Sequence, residues 1–156
     1  EAGAKYINPD IKFTSVMSGS WTDVAKGKEI GISMISTNKA DVIFSFASGV
    51  DAGVREACQS ADNVYFIAQP SESHDTAPDI TVTSIIQSNE ALIYHAMETA
   101  ANGTFKGGYY IAGFEDGGTC SLGVFGDFFD ADKQAKVNDV INKIKSGEID
   151  CDSYAK

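Results

Sequence analysis

Hydrophobic residues along the chain form strand-like runs separated by helix-like segments. Apolar runs predict strands over Ile11–Met17, Asp41–Phe46, Val64–Ala68, Ile80–Ile86 and Gly108–Phe114. The second and third runs are continuously apolar, as is typical of strands buried on both faces of a parallel sheet. Strands that alternate with helices predict an α/β fold with a parallel sheet, whose strand-to-helix turns all lie at one edge.

The segments between these strands have apolar residues at helical spacing, which predicts helices. The opening residues 1–7 have the pattern of a helix that ends at Pro9. Further helices are predicted from Thr22 to about Ser36, over Val50–Gln59, over Ser88–Asn102, and from the cap Asp130 to a point before Gly147, which lies beyond the helix end.

Side chains that cap helices mark where these segments begin. Ser20 or Thr22 is the candidate cap of the second helix, and Asp23 suits its positive end; Ser88 and Asp130 cap the last two helices. The segments 69–79 and 115–129 are polar or glycine-rich and are predicted to be irregular.

The negative net charge of the chain limits the kinds of macromolecule that it can bind. The chain has 156 residues, long enough for one domain with a core, and a formal net charge of -10. An acidic surface argues against a nucleic-acid partner and against docking on anionic lipid. The sequence contains no apolar run as long as a membrane span.

Candidate reactive side chains are few. The cysteines are Cys58, Cys120 and Cys151, so either one disulfide with a free thiol or three free thiols fit the sequence. Neither a zinc motif nor a nucleophile–base pair is recognisable, so no metal and no cofactor is predicted. His95 is expected to be a structural residue on the packed side of a helix, and His74 to lie in solvent.

Trp21 is the strongest candidate for ligand contact. It follows Gly19 and Ser20 in a turn between the first predicted strand and the next helix. In an α/β sheet such a turn lies at the carboxyl ends of the strands, where ligands bind. An aromatic ring at that place has a face free for stacking.

Three stretches of the sequence resemble one known family. They are Gly19–Glu29, Ala40–Phe44 and Asn102–Gly108, and they resemble the BMP/PnrA-type basic membrane lipoproteins, the nucleoside-binding receptors of ABC importers. The resemblance implies a doubly wound parallel sheet like the second lobe of a type I periplasmic-binding-protein fold. It further implies that Trp21 stacks on a purine base and that the Ser48-Gly49 backbone approaches the sugar.

Two positions depart from the family pattern. Pro70, in Ala68–Ser73, stands where the family has the carboxylate that grips the ribose hydroxyls, and Gln87, in Thr83–Ser88, stands where it has a lysine. Glu72 and Gln87 are the candidates for substitute contacts. The predicted ligand-binding residues are therefore Trp21, Ser48, Gly49, Pro70 and Gln87.

The resemblance also implies a division of the chain. The family is about twice as long, and the match starts where its second lobe starts. Residues 1–78 are expected to form the α/β core of that lobe and residues 79–156 to form crossing and returning elements. The first lobe and the targeting segment are expected to lie outside the chain. The returning elements of this chain would then be covered by that first lobe or by a second copy of the chain.

The resulting functional expectation is extracytoplasmic capture of a purine-nucleoside-like ligand for an ABC permease. The protein would be a cell-surface lipoprotein or periplasmic and would perform no chemistry. Two alternatives stay open: a non-transporting surface or signalling protein that keeps the fold, which Pro70 and Gln87 favour, and an enzyme that uses the same sheet edge.

Overall fold

A computed structural model describes residues 1–114 and 118–154. The helices are α1 (Ala2–Ile7), α2 (Val24–Ser36), α3 (Val50–Gln59), α4 (Asn89–Ala101) and α5 (Ala131–Lys145), and the strands are β1 (Val42–Phe44), β2 (Tyr65–Ala68), β3 (Thr81–Gln87) and β4 (Cys120–Leu122). Short 3-10 turns cover His74–Thr76 and Cys151–Tyr154.

Three helices begin at a side chain that accepts a hydrogen bond from a backbone N–H of the first turn. The caps are Asp23 with Lys26 N at 3.0 Å, Ser88 with Ala91 N at 3.1 Å, and Asp130 with Lys133 N at 2.9 Å. The caps predicted at Ser88 and Asp130 are confirmed. At α2 the cap is Asp23 rather than Ser20 or Thr22, because the hydroxyl of Ser20 instead accepts the N–H groups of Thr22 and Asp23 in the preceding turn.

The sheet has the order β1-β2-β3-β4. β1, β2 and β3 are parallel, and β4 is antiparallel to β3. The predicted α/β fold with a largely parallel sheet is therefore confirmed. Because β1, β2 and β3 run in the same direction, their carboxyl ends share one edge, which we call the carboxyl edge.

The core lies between one face of the sheet and α3. Ile43 of β1 and Phe66 of β2 pack with Val50, Val54 and Cys58 of α3. Burial raises the pKa of the Cys58 thiol to about 11, so this thiol stays protonated at neutral pH. The described residues contain no disulfide.

β1 is covered on one face only. Val42 and Phe44 flank buried Ile43 and keep 47% and 52% of their surface exposed. The prediction that Asp41–Phe46 is buried on both faces is therefore wrong. Successive strand residues point to opposite faces, and only the face carrying Ile43 contributes to the core.

Helices α2 and α3 pack closely, because glycines of each helix lie against backbone atoms of the other. A Cβ on Gly53 would lie 1.9 Å from the carbonyl oxygen of Val24, and one on Gly27 would lie 2.1 Å from that of Val50. These small residues allow the two helices to sit together against the sheet. The α2–α3 pair holds in place the turns that precede each helix.

Two predicted strands are absent from the sheet. No backbone hydrogen bond joins residues 12–17 to another strand in the described structure, and Met17 is 90% exposed. Gly108–Phe114 is likewise outside the sheet, with Gly108 at φ +140° and Tyr109 fully exposed. An apolar run becomes a strand only where a neighbouring strand pairs with it, and neither run has such a neighbour among the described residues.

The segment predicted to be irregular over 115–129 contains β4. This short strand pairs with the end of β3, through Gln87 opposite Cys120. Residues 115–117 of that segment lie outside the described residues. No helix in the described parts of the chain combines the length and hydropathy needed to span a bilayer.

Candidate functional site

The turn that carries Trp21 is bound directly to the turn between β1 and α3. The N–H of Gly49 donates to the carbonyl oxygen of Trp21 at 2.9 Å. A Cβ on Gly49 would lie 3.2 Å from that same oxygen, tighter than most side chains tolerate. A glycine is therefore favoured here by close approach of two backbones.

Trp21 presents its ring at the surface of this edge. The side chain is 63% exposed, and its ring meets the ring of Phe46 edge-on, with centroids 6.4 Å apart. The edge-on contact orients the indole while leaving its faces uncovered by Phe46. Such a ring can stack on a flat ligand.

Ser48 lies at the tip of the same turn. It is exposed and has φ +57°, in the left-handed region. Its conformation directs the chain into α3, which begins at Val50. The backbone of residues 48 and 49 lies beside Trp21, because the N–H of Gly49 is bonded to the Trp21 carbonyl oxygen.

Pro70 and Gln87 form the second part of the edge. The N–H of Gln87 donates to the carbonyl oxygen of Pro70 at 2.9 Å. Pro70 follows β2, and Gln87 is the last residue of β3. Since β1, β2 and β3 are parallel neighbours, the five predicted residues lie at the same edge of the sheet, as the sequence predicts.

Asp51 is a buried carboxylate that sequence reasoning missed. It lies in the first turn of α3 and is 7% exposed. Its Oδ1 atom accepts a hydrogen bond from the hydroxyl of Ser45 and another from the N–H of Ala47 at 2.8 Å. An acidic residue between Val50 and Val54 in an otherwise apolar buried run is the signal that would have identified it.

Glu72 ties the loop after β2 to two other segments. Its carboxylate accepts hydrogen bonds from the N–H groups of Ser73, His74 and Val124 and from the hydroxyl of Ser84. Burial acts to raise the pKa of this carboxyl, but the hydrogen bonds outweigh it and hold the pKa below its ordinary value. The proposed substitute contact is therefore already engaged within the protein.

The two histidines differ in their surroundings. His95 on α4 stacks on Tyr110, with centroids 4.0 Å apart and planes at 14°, in keeping with a structural role. The prediction that His74 lies in solvent is wrong: it is half-buried, and its Nδ1 is buried without a hydrogen-bond partner among the described residues. Glu72 accepts the His74 N–H and so turns this loop back onto the protein.

An apolar groove of about 530 Å³ lies between α1 and α5. It is lined by Ala2, Gly3, Tyr6, Ile7, Phe114, Leu122, Lys136, Val137, Val140, Ile141, Ile144, Ile149 and Cys151. Its wall offers few polar groups that could orient a ligand. Among the described residues no group of three or more His, Cys, Asp or Glu side chains could hold a metal ion.

Comparison with known proteins agrees with the fold. Residues 1–153 match the family model described as "ABC transporter substrate-binding protein PnrA-like". Basic membrane protein C of Borreliella burgdorferi is 31% identical over 96% of this chain and 43% of its own length. The ABC transporter nucleoside-binding protein BmpA of Lactococcus lactis is 25% identical over 96% of this chain and 45% of its own length.

A solved structure is also similar. The transcriptional activator of the comK gene from Bacillus halodurans matches 90% of this chain and 48% of its own, with a TM-score of 0.76 and 25% identity. The chain thus spans about half the length of the relatives it matches. The family model covers nearly all of the chain, and on that ground the chain belongs to the PnrA-like family of ABC-transporter substrate-binding proteins.

Proposed function

We propose that this chain forms one wall of a receptor that captures a nucleoside-like small molecule for an ABC permease, without transforming it. The observation that carries the proposal is the exposed ring of Trp21, held at the carboxyl edge by Gly49 and Phe46. A flat base would stack on this ring, and polar backbone groups of Ser48 and Gly49, other than the Gly49 N–H that is bonded to Trp21, would meet the rest of the ligand. The printed name of the L. lactis relative, a nucleoside-binding protein, supports the same ligand class.

The proposal includes the division of the molecule. Residues 1–78 would form the core of the second lobe and residues 79–156 the crossing and returning elements, with ligand held against a first lobe that this chain does not contain. The length of the relatives supports this division. Membership of a substrate-binding family supports a location outside the cytoplasmic membrane, as a surface lipoprotein or periplasmic receptor.

The proposal is tested by measuring the binding of adenosine to the full-length product of the natural gene. Base stacking on an aromatic ring contributes about 1–3 kcal/mol. Trp21→Ala should therefore weaken adenosine binding by about 5- to 150-fold in calorimetric titrations up to millimolar concentration. Trp21→Phe is the matched control, since it keeps a ring and should lose much less.

Two results would contradict the proposal. If Trp21→Ala and Trp21→Phe weaken binding equally, the ring does not act by stacking. If the unchanged protein binds none of adenosine, guanosine, inosine and uridine, the ligand class is wrong.

A second candidate is a signalling protein that keeps the fold without transport. One specific observation favours it: the solved structure with a TM-score of 0.76 is that of a transcriptional activator. The two candidates differ in what depends on the protein in cells. Deletion of the gene should abolish uptake of labelled nucleoside under the first candidate and leave uptake unchanged under the second.

A further inference from the structure

Asp51 is a buried carboxyl group that forms no ion pair with any described residue. Among the described residues it is the one acidic or basic side chain in the buried set. The described ion pairs are Lys5–Glu1, Lys28–Glu56, Lys133–Asp130 and Lys143–Asp139, and none of them includes Asp51. A carboxylate removed from water needs several hydrogen-bond donors to offset the cost of its burial.

The protein supplies donors to one oxygen of this carboxylate only. Oδ1 takes the hydroxyl of Ser45 and the N–H of Ala47, whereas Oδ2 accepts no hydrogen bond from any described residue. The fully buried side-chain atoms without partners in the described chain are His74 Nδ1 and Thr81 Oγ1, and Oδ2 is not among them, so this oxygen is not completely sealed from solvent although the residue is only 7% exposed. Its acceptor positions are therefore open.

This oxygen belongs to the turn that holds Trp21. Ser45 and Ala47, which donate to Asp51, flank Phe46, whose ring contacts Trp21. Gly49, two residues before Asp51, donates to the backbone of Trp21. The carboxylate and the exposed indole are thus carried by two turns that are bonded to each other.

We propose that Asp51 is a specificity-determining residue of the carboxyl edge, which accepts hydrogen bonds from hydroxyl or amino groups of the ligand and rejects anionic ligands. The proposal rests on the proposed function, because it concerns the ligand that stacks on Trp21. An acceptor with negative charge favours donors and repels phosphate or carboxylate groups in a poorly solvated site. The site would therefore select nucleosides over nucleotides.

The experiment compares adenosine with adenosine monophosphate on the protein as its natural gene encodes it. The unchanged protein should bind adenosine at least about tenfold more tightly than the monophosphate. Asp51→Asn keeps an acceptor oxygen for Ser45 and Ala47 but removes the charge. It should weaken adenosine binding by about 10- to 100-fold and leave monophosphate binding unchanged or tighter, because charge-assisted hydrogen bonds are the stronger kind.

Asp41→Asn is the matched control. Asp41 is exposed and lies immediately before β1, at the opposite end of that strand, so the variant changes net charge equally without touching the site. The ratio of the two dissociation constants should stay at the wild-type value in Asp41→Asn and fall at least tenfold in Asp51→Asn.

The outcomes separate this inference from the proposed function. If Asp51→Asn weakens the binding of both ligands equally, or changes the binding of neither, Asp51 only braces the turn and the inference is overturned. If the unchanged protein binds both ligands equally well, the inference is overturned without any variant, which covers the case in which Asp51→Asn does not fold. If the unchanged protein binds neither ligand, the proposed function fails and the inference fails with it.

Discussion

At the scale of residues, two carboxylates hold the loops of the carboxyl edge in position. Asp51 fixes the turn after β1, and Glu72 joins the loop after β2 to β3 and to the segment after β4. Both act through backbone N–H groups and hydroxyls rather than through ion pairs. The positions of the loops at this edge therefore depend on the acceptor oxygens of two side chains.

Glu72→Gln should lower stability in a way that depends on pH. The folded pKa of Glu72 lies below its ordinary value, so the ionised form stabilises the fold above about pH 4.3, and this contribution is lost as pH falls through the folded pKa. Because the side chain is exposed, we expect a cost of about 1 kcal/mol at pH 7. Urea unfolding between pH 7 and pH 3 would measure the difference, which should shrink at the acidic end.

Glu29→Gln provides the control for this series. Glu29 is exposed on α2, and its side chain makes no hydrogen bond or ion pair with the described residues. Its substitution should change the free energy of unfolding by less than about 0.5 kcal/mol at every pH. An equal loss in both variants would show that Glu72 is not a specific brace.

Pro70 and Gln87 set the affinity expected for ordinary nucleosides. Their side chains cannot supply the carboxylate and ammonium that the family resemblance places there. Two charge-assisted contacts of about 1.5–3 kcal/mol each correspond to roughly two to four orders of magnitude in affinity. We therefore expect weak binding of adenosine, and the double substitution Pro70→Asp with Gln87→Lys should tighten it.

Calorimetry on each single variant and on the double variant would test this. Each single substitution should tighten adenosine binding about tenfold. The effects of the two substitutions should not be simply additive, because the residues are in contact: the N–H of Gln87 donates to the carbonyl oxygen of Pro70. Submicromolar binding of any nucleoside by the unchanged protein would show that other groups, Asp51 among them, already replace the missing contacts.

Helices were predictable from the sequence, and strands were predictable only where a partner exists. A helix satisfies its hydrogen bonds within one segment, so the caps at Ser88 and Asp130 mark its start reliably. A strand depends on a distant neighbour, which explains why Ile11–Met17 and Gly108–Phe114 are not strands here. β4 has only three residues and no apolar run, so its pairing with β3 left no signal in the sequence.

The candidate site was predictable in part for the same reason. Turns after parallel strands share one edge, so the sequence alone could place Trp21, Gly49 and Pro70 together. The hydrogen bonds of Asp51 and Glu72 depend on side-chain orientation across turns, which spacing does not encode. The sequence singled out Glu72 as a candidate for ligand contact, but only the structure shows that Glu72 braces its loop and that Asp51 braces the turn after β1.

The α2–α3 contact gives a direct test at the scale of elements. In Gly53→Ala the new methyl group would meet the Val24 carbonyl oxygen at 1.9 Å and the Lys28 nitrogen at 2.6 Å. Both atoms are backbone atoms within a helix, so the two helices must separate. We expect a loss of about 2–3 kcal/mol in the free energy of unfolding, measured by urea titration.

Gly3→Ala is the matched control, because Gly3 also lies in a helix but has no atom within 4 Å of the added methyl group. Alanine is the better helix former, so this variant should be neutral or slightly more stable. A Gly53→Ala variant as stable as the Gly3→Ala variant would contradict the close packing of α2 on α3.

At the scale of the whole molecule, α4 exposes an apolar surface, and none of its residues is buried. We call the exposed apolar side chains of α4 the α4 surface: Leu92, Ile93, Tyr94, Ala96 and Met97. Ile93, Tyr94 and Met97 are 60%, 66% and 67% exposed. Stable monomers rarely expose large contiguous apolar patches, so this surface is expected to be covered in the natural protein, by the lobe that the relatives' length implies or by a second copy of the chain.

Self-association of the 156-residue chain would test whether the α4 surface is a contact surface. Left uncovered, the surface should drive concentration-dependent association, measured by light scattering, and Met97→Glu should shift the chain toward monomer because it places a charge in the patch. Ile32→Glu is the control, since Ile32 is a 50% exposed apolar residue on α2, away from α4. It should leave association unchanged. A chain that stays monomeric at all concentrations, or that responds equally to both substitutions, would contradict self-association through the α4 surface.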